Sequence, residues 1–552
     1  MIYVGDSMAK VRRLFGTDGI RGKFVAPSSS EKLAIAALHD ERVICSTLMR
    51  LVGESLARIS DTMPGQGANV VIGWDQRPCN EELVASLTLG LRLAGCSVTH
   101  IGICSTPFLH YSILQNNARI GCMITASHNP VSDSGVKVFD NQGYKTSPQV
   151  EDEITLIAEA LAQEEREIDD IDRENFSNAD VDLSDGGNWA QQQHPLWLSK
   201  RMQGWSDFGQ SLSHANIADP LLLDCSKGAP STWLATWLGE CGINSKEVSQ
   251  DATAMNDGCG AGELSPTDTW TIDEASNESH LLLRNVQHAP IGTIVGAALD
   301  GDGDRCLIIE ATETGYKVVD GDAIADLLLK AAARNNPNCQ WHLAASIESD
   351  LALLSNPCSG LEIKTSETAV GDRWLSVELR NDGLLGEKMP KLFGVEDSGH
   401  VVLPSPHPLL ENHWSLVGDG AATLVSYLLA KSCVGNDEMV RGWKKRISVS
   451  NVDRNLWDGR NQLSDTIADI AFKQLNTLGE LTHWNRHGLA GEENLMLIEA
   501  TLNDCPLSLG IRNSGTQAKI SISLRLGIGL DHTGMEKILD EIASILGANM
   551  RL

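Results

Sequence analysis

The chain is short of positive charge. Its 44 Lys and Arg stand against 73 Asp and Glu, a formal net charge of −29 over 552 residues. Such a surface repels polyanions, which argues against nucleic acid and anionic membrane as partners. A small phosphorylated ligand remains compatible, because a few local Arg and Lys suffice to hold one phosphate. Long apolar runs are missing as well; none reaches the roughly 20 residues that a membrane span requires. The opening Met-Ile-Tyr-Val-Gly-Asp lacks a basic stretch followed by an apolar one, so no secretory signal is expected. The 13 cysteines are scattered, odd in number and without a Cys-x-x-Cys pair. Reduced, buried thiols in a cytoplasmic protein are expected, rather than disulfides or zinc.

Three further absences narrow the chemistry. No Gly-x-Ser-x-Gly elbow is present at Ser127, so the Ser127-His128 dipeptide is not a hydrolase nucleophile with its base. Phe15-Gly-Thr-Asp-Gly-Ile-Arg-Gly22, followed by Lys23, has the outline of a Walker A loop. Five residues separate Gly16 from Gly22 instead of four, and Phe24 stands where Ser or Thr is needed. Asp300-Gly-Asp-Gly-Asp-Arg305 is not an EF-hand, because Arg305 and Ala311 occupy the positions that demand Gly and Glu.

What is present begins with alternation. Strand-like runs at Asn69–Asp75, Ser97–Ile103, Ile120–Ile124, Leu221–Asp224, Thr293–Leu299 and His342–Ile347 interleave with helical spacing at Glu82–Ala94 and Ala323–Ala333. This pattern predicts an α/β fold with mostly parallel buried strands and functional loops at their carboxyl ends. The length allows about three to four domains. Ser28–Asp40 and Asp61–Asn69 read as irregular insertions flanking a helix, and the acidic stretch Glu164–Gln193 reads as a linker. Beyond Ile447 the spacing changes to short strands and helices, ending in a helix over Met535–Leu546.

Two of the predicted strand ends carry chemistry. Thr125-Ala-Ser-His-Asn-Pro130 follows Ile120–Ile124. Pro130 keeps Asn129 extended, so the chain turns sharply and exposes Ser127 and His128. Asp300, Asp302 and Asp304 follow the second strand at alternate positions, where their carboxylates can converge on one hard cation such as Mg²⁺, with Arg305 beside them for phosphate. A hydroxyl able to carry phosphate beside a cation site points to phosphoryl transfer. Arg21 reads as a phosphate-facing cation. Glu396, Ser398 and His400 alternate in Phe393-Gly-Val-Glu-Asp-Ser-Gly-His400 and suit sugar hydroxyls, although alone they fit a polar turn better. Arg512, Ser514, Gly515 and Thr516 can form a phosphate nest, or simply a hairpin turn.

In this order the five segments resemble the α-D-phosphohexomutase superfamily, most closely its bacterial phosphoglucosamine mutase branch. The resemblance spans residues 15–520. It implies four domains: a phosphoserine-bearing α/β domain (1–190), a metal-binding α/β domain (191–312), a sugar-binding α/β domain (313–437) and a smaller C-terminal α+β domain (438–552). It implies that Ser127 is the phosphoserine and, with Asp300, Asp302 and Asp304, a ligand of Mg²⁺. His128, Lys137 and Arg21 would then be catalytic. Arg305, Glu396, Ser398, His400, Arg512, Ser514, Gly515 and Thr516 would bind substrate. The implied reaction interconverts glucosamine 6-phosphate and glucosamine 1-phosphate, with a hexose or hexosamine 1,6-bisphosphate as activator and intermediate. Mannose or glucose phosphates are the alternative substrates, and a non-catalytic binding protein is the alternative class. A monomer or homodimer in the cytoplasm is expected. Four features depart from the family pattern: Val395 stands in place of a second Gly, Gln517-Ala518 in place of Glu-Pro, Asn256-Asp-Gly-Cys-Gly-Ala-Gly-Glu263 lacks Ser-Thr after Cys-Gly, and extra material occupies residues 26–68 and 165–215.

Overall fold

The computed structural model describes residues 12–60, 68–164, 168–184, 189–212, 215–355, 357–358, 360–513 and 518–551. Among these residues the strands form four sheets, of seven, six, five and five strands, in chain order.

The first three sheets share one arrangement around the segments of interest. In the first, Ile120–Ile124 runs parallel to Asn69–Trp74 on one side and antiparallel to Asp133–Phe139 on the other. In the second, Ile294–Leu299 lies between parallel Ile217–Asp224 and antiparallel Cys306–Ala311. In the third, Leu392–Val395 lies between parallel Gln340–Ser346 and antiparallel Val401–Pro406. The turn that reverses direction is residues 125–132 in the first sheet, 300–305 in the second and 396–400 in the third. The serine segment, the aspartate segment and the glutamate segment therefore occupy one topological position in three related mixed units. Ile120–Ile124 and Ile294–Leu299 are buried along their whole length, which explains runs of apolar residues with no alternation. The fourth sheet is wholly antiparallel. Helices Gln462–Leu478 and Met535–Asn549 contribute Ile467, Leu475, Leu539 and Ile542 to its core, giving an α+β unit.

Two sequence expectations are corrected. Ser28–Asp40 is not irregular: Glu31–Glu41 is a helix whose Ser30 cap accepts the Leu33 N–H and whose Ala34, Ile35 and Leu38 are buried. Of the other expected insertion, residues 61–67 lie outside the described residues. Nor is Glu164–Gln193 a free linker. It contains the helix Asp170–Phe176 and an edge strand, Val181–Asp182, parallel to Ser97–Ile103. One of its acids is tied to the first sheet, since Asp180 pairs with Arg92 at 2.9 Å and accepts the Val98 N–H at 2.8 Å. A domain boundary at residue 312 would split neighbouring strands, because Gly315–Val319 pairs with Cys306–Ala311 in the second sheet.

The helix Trp189–Met202 ties the first and third units together. Its Arg201 lies over the Trp197 ring at 4.6 Å and pairs with Asp419, the N-cap of helix Gly420–Val434. His110 joins the same two units. It sits in helix Thr106–Gln115, where its Nδ1–H donates to the Gly143 carbonyl at 2.7 Å and its Nε2 accepts from Ser415 at 3.0 Å. A carbonyl only accepts, which fixes this tautomer. Burial pushes the His110 pKa down to about 4. The folded value lies below the unfolded one, near 6.5. The neutral ring therefore stabilises the fold above about pH 6.5, and that contribution is lost as pH falls toward 4. Denaturant unfolding should show stability falling by on the order of 3 kcal/mol across that window, with a shallower slope in His110→Gln.

Candidate active site

Ser127 follows its strand in a left-handed conformation, φ +54. Residues held there cost about 1–3 kcal/mol and persist only where their surroundings enforce them. Here the enforcement is visible. The Ser127 N–H donates to Thr125 Oγ1 at 2.8 Å, and its carbonyl accepts from Arg77 at 2.7 Å and Asn256 at 2.8 Å. Thr125 donates in turn to Asp75 at 2.6 Å. Asp75 and Arg77 form a fully buried ion pair at 3.1 Å. Arg77 spends its remaining donors on the carbonyls of Asn129, Pro130 and Asp133. Asn80 completes the scaffold, donating to Asp75 at 2.7 Å and to the Ile124 carbonyl at 3.1 Å.

The expectation that the turn exposes Ser127 is corrected, because its exposure is 1%. The second unit covers it. A Cβ on Gly301 would lie 2.8 Å from the Ser127 carbonyl oxygen, so the two turns meet backbone to backbone at a position that only glycine allows. The Ser127 hydroxyl donates to Asp300 Oδ2 at 2.9 Å, across the two units. His128 is half-buried, and its Nδ1 has no hydrogen-bond partner among the described residues. Burial, helped by Arg305 and Arg21, pushes its pKa down to about 4, so the ring is neutral and able to accept a proton.

Asp300, Asp302 and Asp304 are buried, and each offers a carboxylate oxygen within 4.8 Å of the others. Asp300 Oδ1 accepts the N–H groups of Asp304 and Arg305 at 3.1 and 3.2 Å. Asp302 Oδ2 accepts from Lys137 at 2.6 Å and from the Thr106 hydroxyl. Lys137 also reaches Asp304 at 3.0 Å and Asp18 at 3.2 Å. Burial, then the charges of Asp304 and Asp302, push the Asp300 pKa up to about 8. Burial opposes ionisation of Asp304 too, but Lys137 and His400 hold it below the usual carboxylate range. Asp302 Oδ1 and Asp304 Oδ1 are buried with no hydrogen-bond partner among the described residues. Orphaned hard oxygens at this spacing fit an oxygen-liganded divalent cation.

The remaining expected residues fall into two groups. Arg21 pairs with Asp18 and donates to the Ala126 carbonyl at 3.4 Å, a second guanidinium on the backbone of the serine turn. Asp18 continues to Lys145 at 2.7 Å and Lys145 to Asp372 at 2.6 Å, linking the first unit to the third. Arg305 lies 3.9 Å from both Asp300 and Asp304. Glu396 accepts the Gly371 N–H at 2.7 Å, and Ser398 is half-buried beside it. His400 lies deeper than Ser398. It is buried among carboxylates, 3.3 Å from Glu396, 3.7 Å from Asp304 and 3.8 Å from Asp372. Burial opposes its charge, but Asp304 and Asp372 raise its pKa to about 9. The turn at Gly399, φ +87, breaks the extended alternation on which the sugar-facing expectation depended. Arg512 ends the strand Cys505–Asn513 and pairs with Glu348 at 2.9 Å. Ser514, Gly515 and Thr516 lie outside the described residues.

Comparison with known proteins agrees with this geometry. A family model described as "Phosphoglucomutase/phosphomannomutase, alpha/beta/alpha domain I" matches residues 12–165, and that for domain III matches residues 320–440. Phosphoglucosamine mutase from Rhodococcus erythropolis is 32% identical over 422 residues, covering 74% of this chain and 77% of that protein. The chain belongs to the α-D-phosphohexomutase superfamily.

Two solved structures share the fold. The Paramecium phosphoglucomutase pp63/parafusin, in an open form, aligns with a TM-score of 0.61 at 17% identity, covering 98% of this chain and 97% of that one. Aspergillus fumigatus N-acetylphosphoglucosamine mutase, solved with GlcNAc-6P and magnesium, aligns with a TM-score of 0.51 at 14% identity, covering 81% and 93%. As a phosphohexomutase the protein is an isomerase of a metal-using family, and its aspartate turn could hold the metal. No helix among the described residues is long and apolar enough to cross a membrane. Sequence reasoning missed Asp75, Arg77, Asn80 and Thr106, which hold the serine and aspartate turns. A signal for two of them existed: Asp75 and Thr106 follow parallel strands at their carboxyl ends, Asp75 on the strand beside that of the serine and Thr106 after the next strand along. Asp18, Lys145 and Asp372 meet only in the fold, and no local pattern connects them.

Proposed function

We propose that the protein interconverts glucosamine 6-phosphate and glucosamine 1-phosphate through a phosphoserine at Ser127 and a hexosamine 1,6-bisphosphate. The observation that carries this reading is the Ser127 hydroxyl, 2.9 Å from Asp300 in a buried three-carboxylate cluster in which two oxygens accept no hydrogen bond from the described residues. The relatives named phosphoglucosamine mutase support the amino sugar, and the magnesium in the Aspergillus complex supports Mg²⁺. In this reading the second domain extends to Val319 and the third begins at Asp320.

The three aspartates and the Ser127 phosphate would hold Mg²⁺, which neutralises charge developing on the transferring phosphoryl oxygens. The remaining work falls to the protein. The free hydroxyl of the phosphosugar attacks the phosphorus on Ser127, and the bond from phosphorus to Ser127 Oγ breaks. His128, kept neutral, accepts the proton of the attacking hydroxyl. Lys137, held well above its ordinary pKa by Asp18, Asp302 and Asp304 against burial, supplies a proton for the departing serine oxygen. An acid and a base with pKa values pushed apart can divide these roles. The bisphosphosugar then turns over and returns its other phosphoryl group to Ser127. The buried position of Ser127 keeps water from the phosphoserine.

The test is turnover on 6-phosphosugars with and without a 2-amino group. A site built to bond the amine rejects analogues lacking it, so kcat/KM for glucosamine 6-phosphate should exceed that for glucose 6-phosphate and mannose 6-phosphate by about 100-fold or more. Equal or faster turnover of the hexose phosphates that lack the 2-amino group would overturn the amino-sugar assignment.

A further inference from the structure

The fourth sheet presents a row of cations to the third unit. Arg446 pairs in register with Ser523 and Arg512 with Ser521, two residues apart on the intervening strand. Side chains alternate faces along a strand, so Arg446 and Arg512 project from one face. Lys444 and Arg525, opposite each other in register, share it. The other face carries Ile511, Ile520, Ile522 and Leu524 into the core. Three carboxylates on the third unit meet single cations of this row: Asp322 and Asp397 take Lys444 at 2.9 and 2.7 Å, and Glu367 takes Arg525 at 2.8 Å.

Glu348 is different. One of its oxygens accepts from Arg512 at 2.9 Å, and the other lies 2.5 Å from Arg446. Two guanidiniums thus converge on the two oxygens of a single anion, while Arg512 keeps only a longer approach to Glu492 at 3.7 Å. The position is also telling. Glu348 follows the carboxyl end of Gln340–Ser346, the strand parallel to and beside Leu392–Val395, which leads into Glu396. Lys444 spans the gap, donating to the Asp397 carboxylate at 2.7 Å and to the Glu348 carbonyl at 3.1 Å. The converging pair therefore lies next to the Glu396–Ser398 turn. Although burial opposes ionisation, Arg446 and Arg512 hold Glu348 ionised, with its pKa pushed down to about 2.

We propose that Arg446 joins Arg512 in the subsite for the non-reacting phosphate of the substrate, and that the Glu348 carboxylate occupies this subsite in the resting protein as a built-in substitute for phosphate. The proposal rests on the mutase reading of Arg512. A phosphate monoester carries close to two negative charges and three terminal oxygens, against one charge and two oxygens for the carboxylate, so it displaces Glu348 from both guanidinium forks. A singly charged or weakly held anion does not. Glu348 thus keeps two neighbouring cations from repelling each other and holds the fourth unit docked, at the cost of weaker phosphate binding. It sets a threshold that only a doubly charged ligand passes.

Calorimetric titration of the full chain with inorganic phosphate, and separately with glucosamine 6-phosphate, tests this. Glu348→Gln removes the competing charge while keeping the size, so the dissociation constants of both ligands should fall by about tenfold. Glu348→Asp keeps the charge with a shorter reach and should fall between wild type and Glu348→Gln, which guards against a folding defect in the amide variant. Arg446→Ala and Arg512→Ala should each weaken both ligands by about tenfold or more. Unchanged or weaker binding in Glu348→Gln, with Arg512→Ala impaired, would overturn the role of Glu348 and leave the mutase reading intact. Unchanged binding in Arg446→Ala would remove Arg446 from the subsite. Unchanged binding in Arg512→Ala would instead overturn the reading of Arg512 on which the proposal stands.

Discussion

Ser127→Ala lowers mutase turnover by about 10⁴-fold or more and leaves the fold standing. The two halves of this expectation have separate causes. The turn is held through the backbone of Ser127, by Thr125, Arg77 and Asn256, and none of those bonds uses its side chain. The hydroxyl makes one bond, to Asp300. Alanine at φ +54 is about as strained as serine, so the thermal midpoint moves little. Without the hydroxyl there is no acceptor for the phosphoryl group, and no neighbouring side chain can replace it at the same point. Steady-state turnover beside a thermal melt makes the check; substantial activity in Ser127→Ala would remove the covalent step.

Asp302→Asn has the second largest expected effect. The substitution keeps the volume but removes one of three charges, and it presents an amide to a site where Lys137 and Thr106 already donate. Lys137 retains Asp304 and Asp18, so the cluster stays assembled. Turnover should fall by about 10³-fold, the scale of losing a preorganised electrostatic contact at a reacting phosphoryl group. Excess chelator should bring the wild type to a similar floor, and Mg²⁺ should restore the wild type but not Asp302→Asn. Direct titration with Mg²⁺ should show binding to the wild type and its loss in Asp302→Asn. Full turnover in excess chelator would contradict the metal assignment.

These residues were legible because each lies in a short motif at the end of an uninterrupted apolar strand. Ile120–Ile124 and Ile294–Leu299 are buried on both faces, and that burial writes itself into sequence as a run. Where burial is partial the signal fades. The helix Glu31–Glu41 buries only Ala34, Ile35 and Leu38 and follows Pro27-Ser-Ser-Ser30, so it looks like a loop. The edge strand Val181–Asp182 is exposed and carries no apolar pattern at all. In the site, a left-handed Gly399 interrupts the alternation that runs through Glu396 and Ser398, and His400 packs among carboxylates. Lys137 entered only through family resemblance; its three carboxylates come from residues 18, 302 and 304, which no local pattern connects.

The most direct test of the account is to follow one phosphoryl group. The wild-type chain is incubated with glucosamine 1,6-bisphosphate, freed of sugar, mapped by peptide mass spectrometry, and then mixed with glucosamine 6-phosphate in a single turnover. The account predicts one phosphoryl group on Ser127, and its transfer to the sugar as bisphosphate. Phosphate on a different residue, or phosphate on Ser127 that the sugar does not remove, would contradict it.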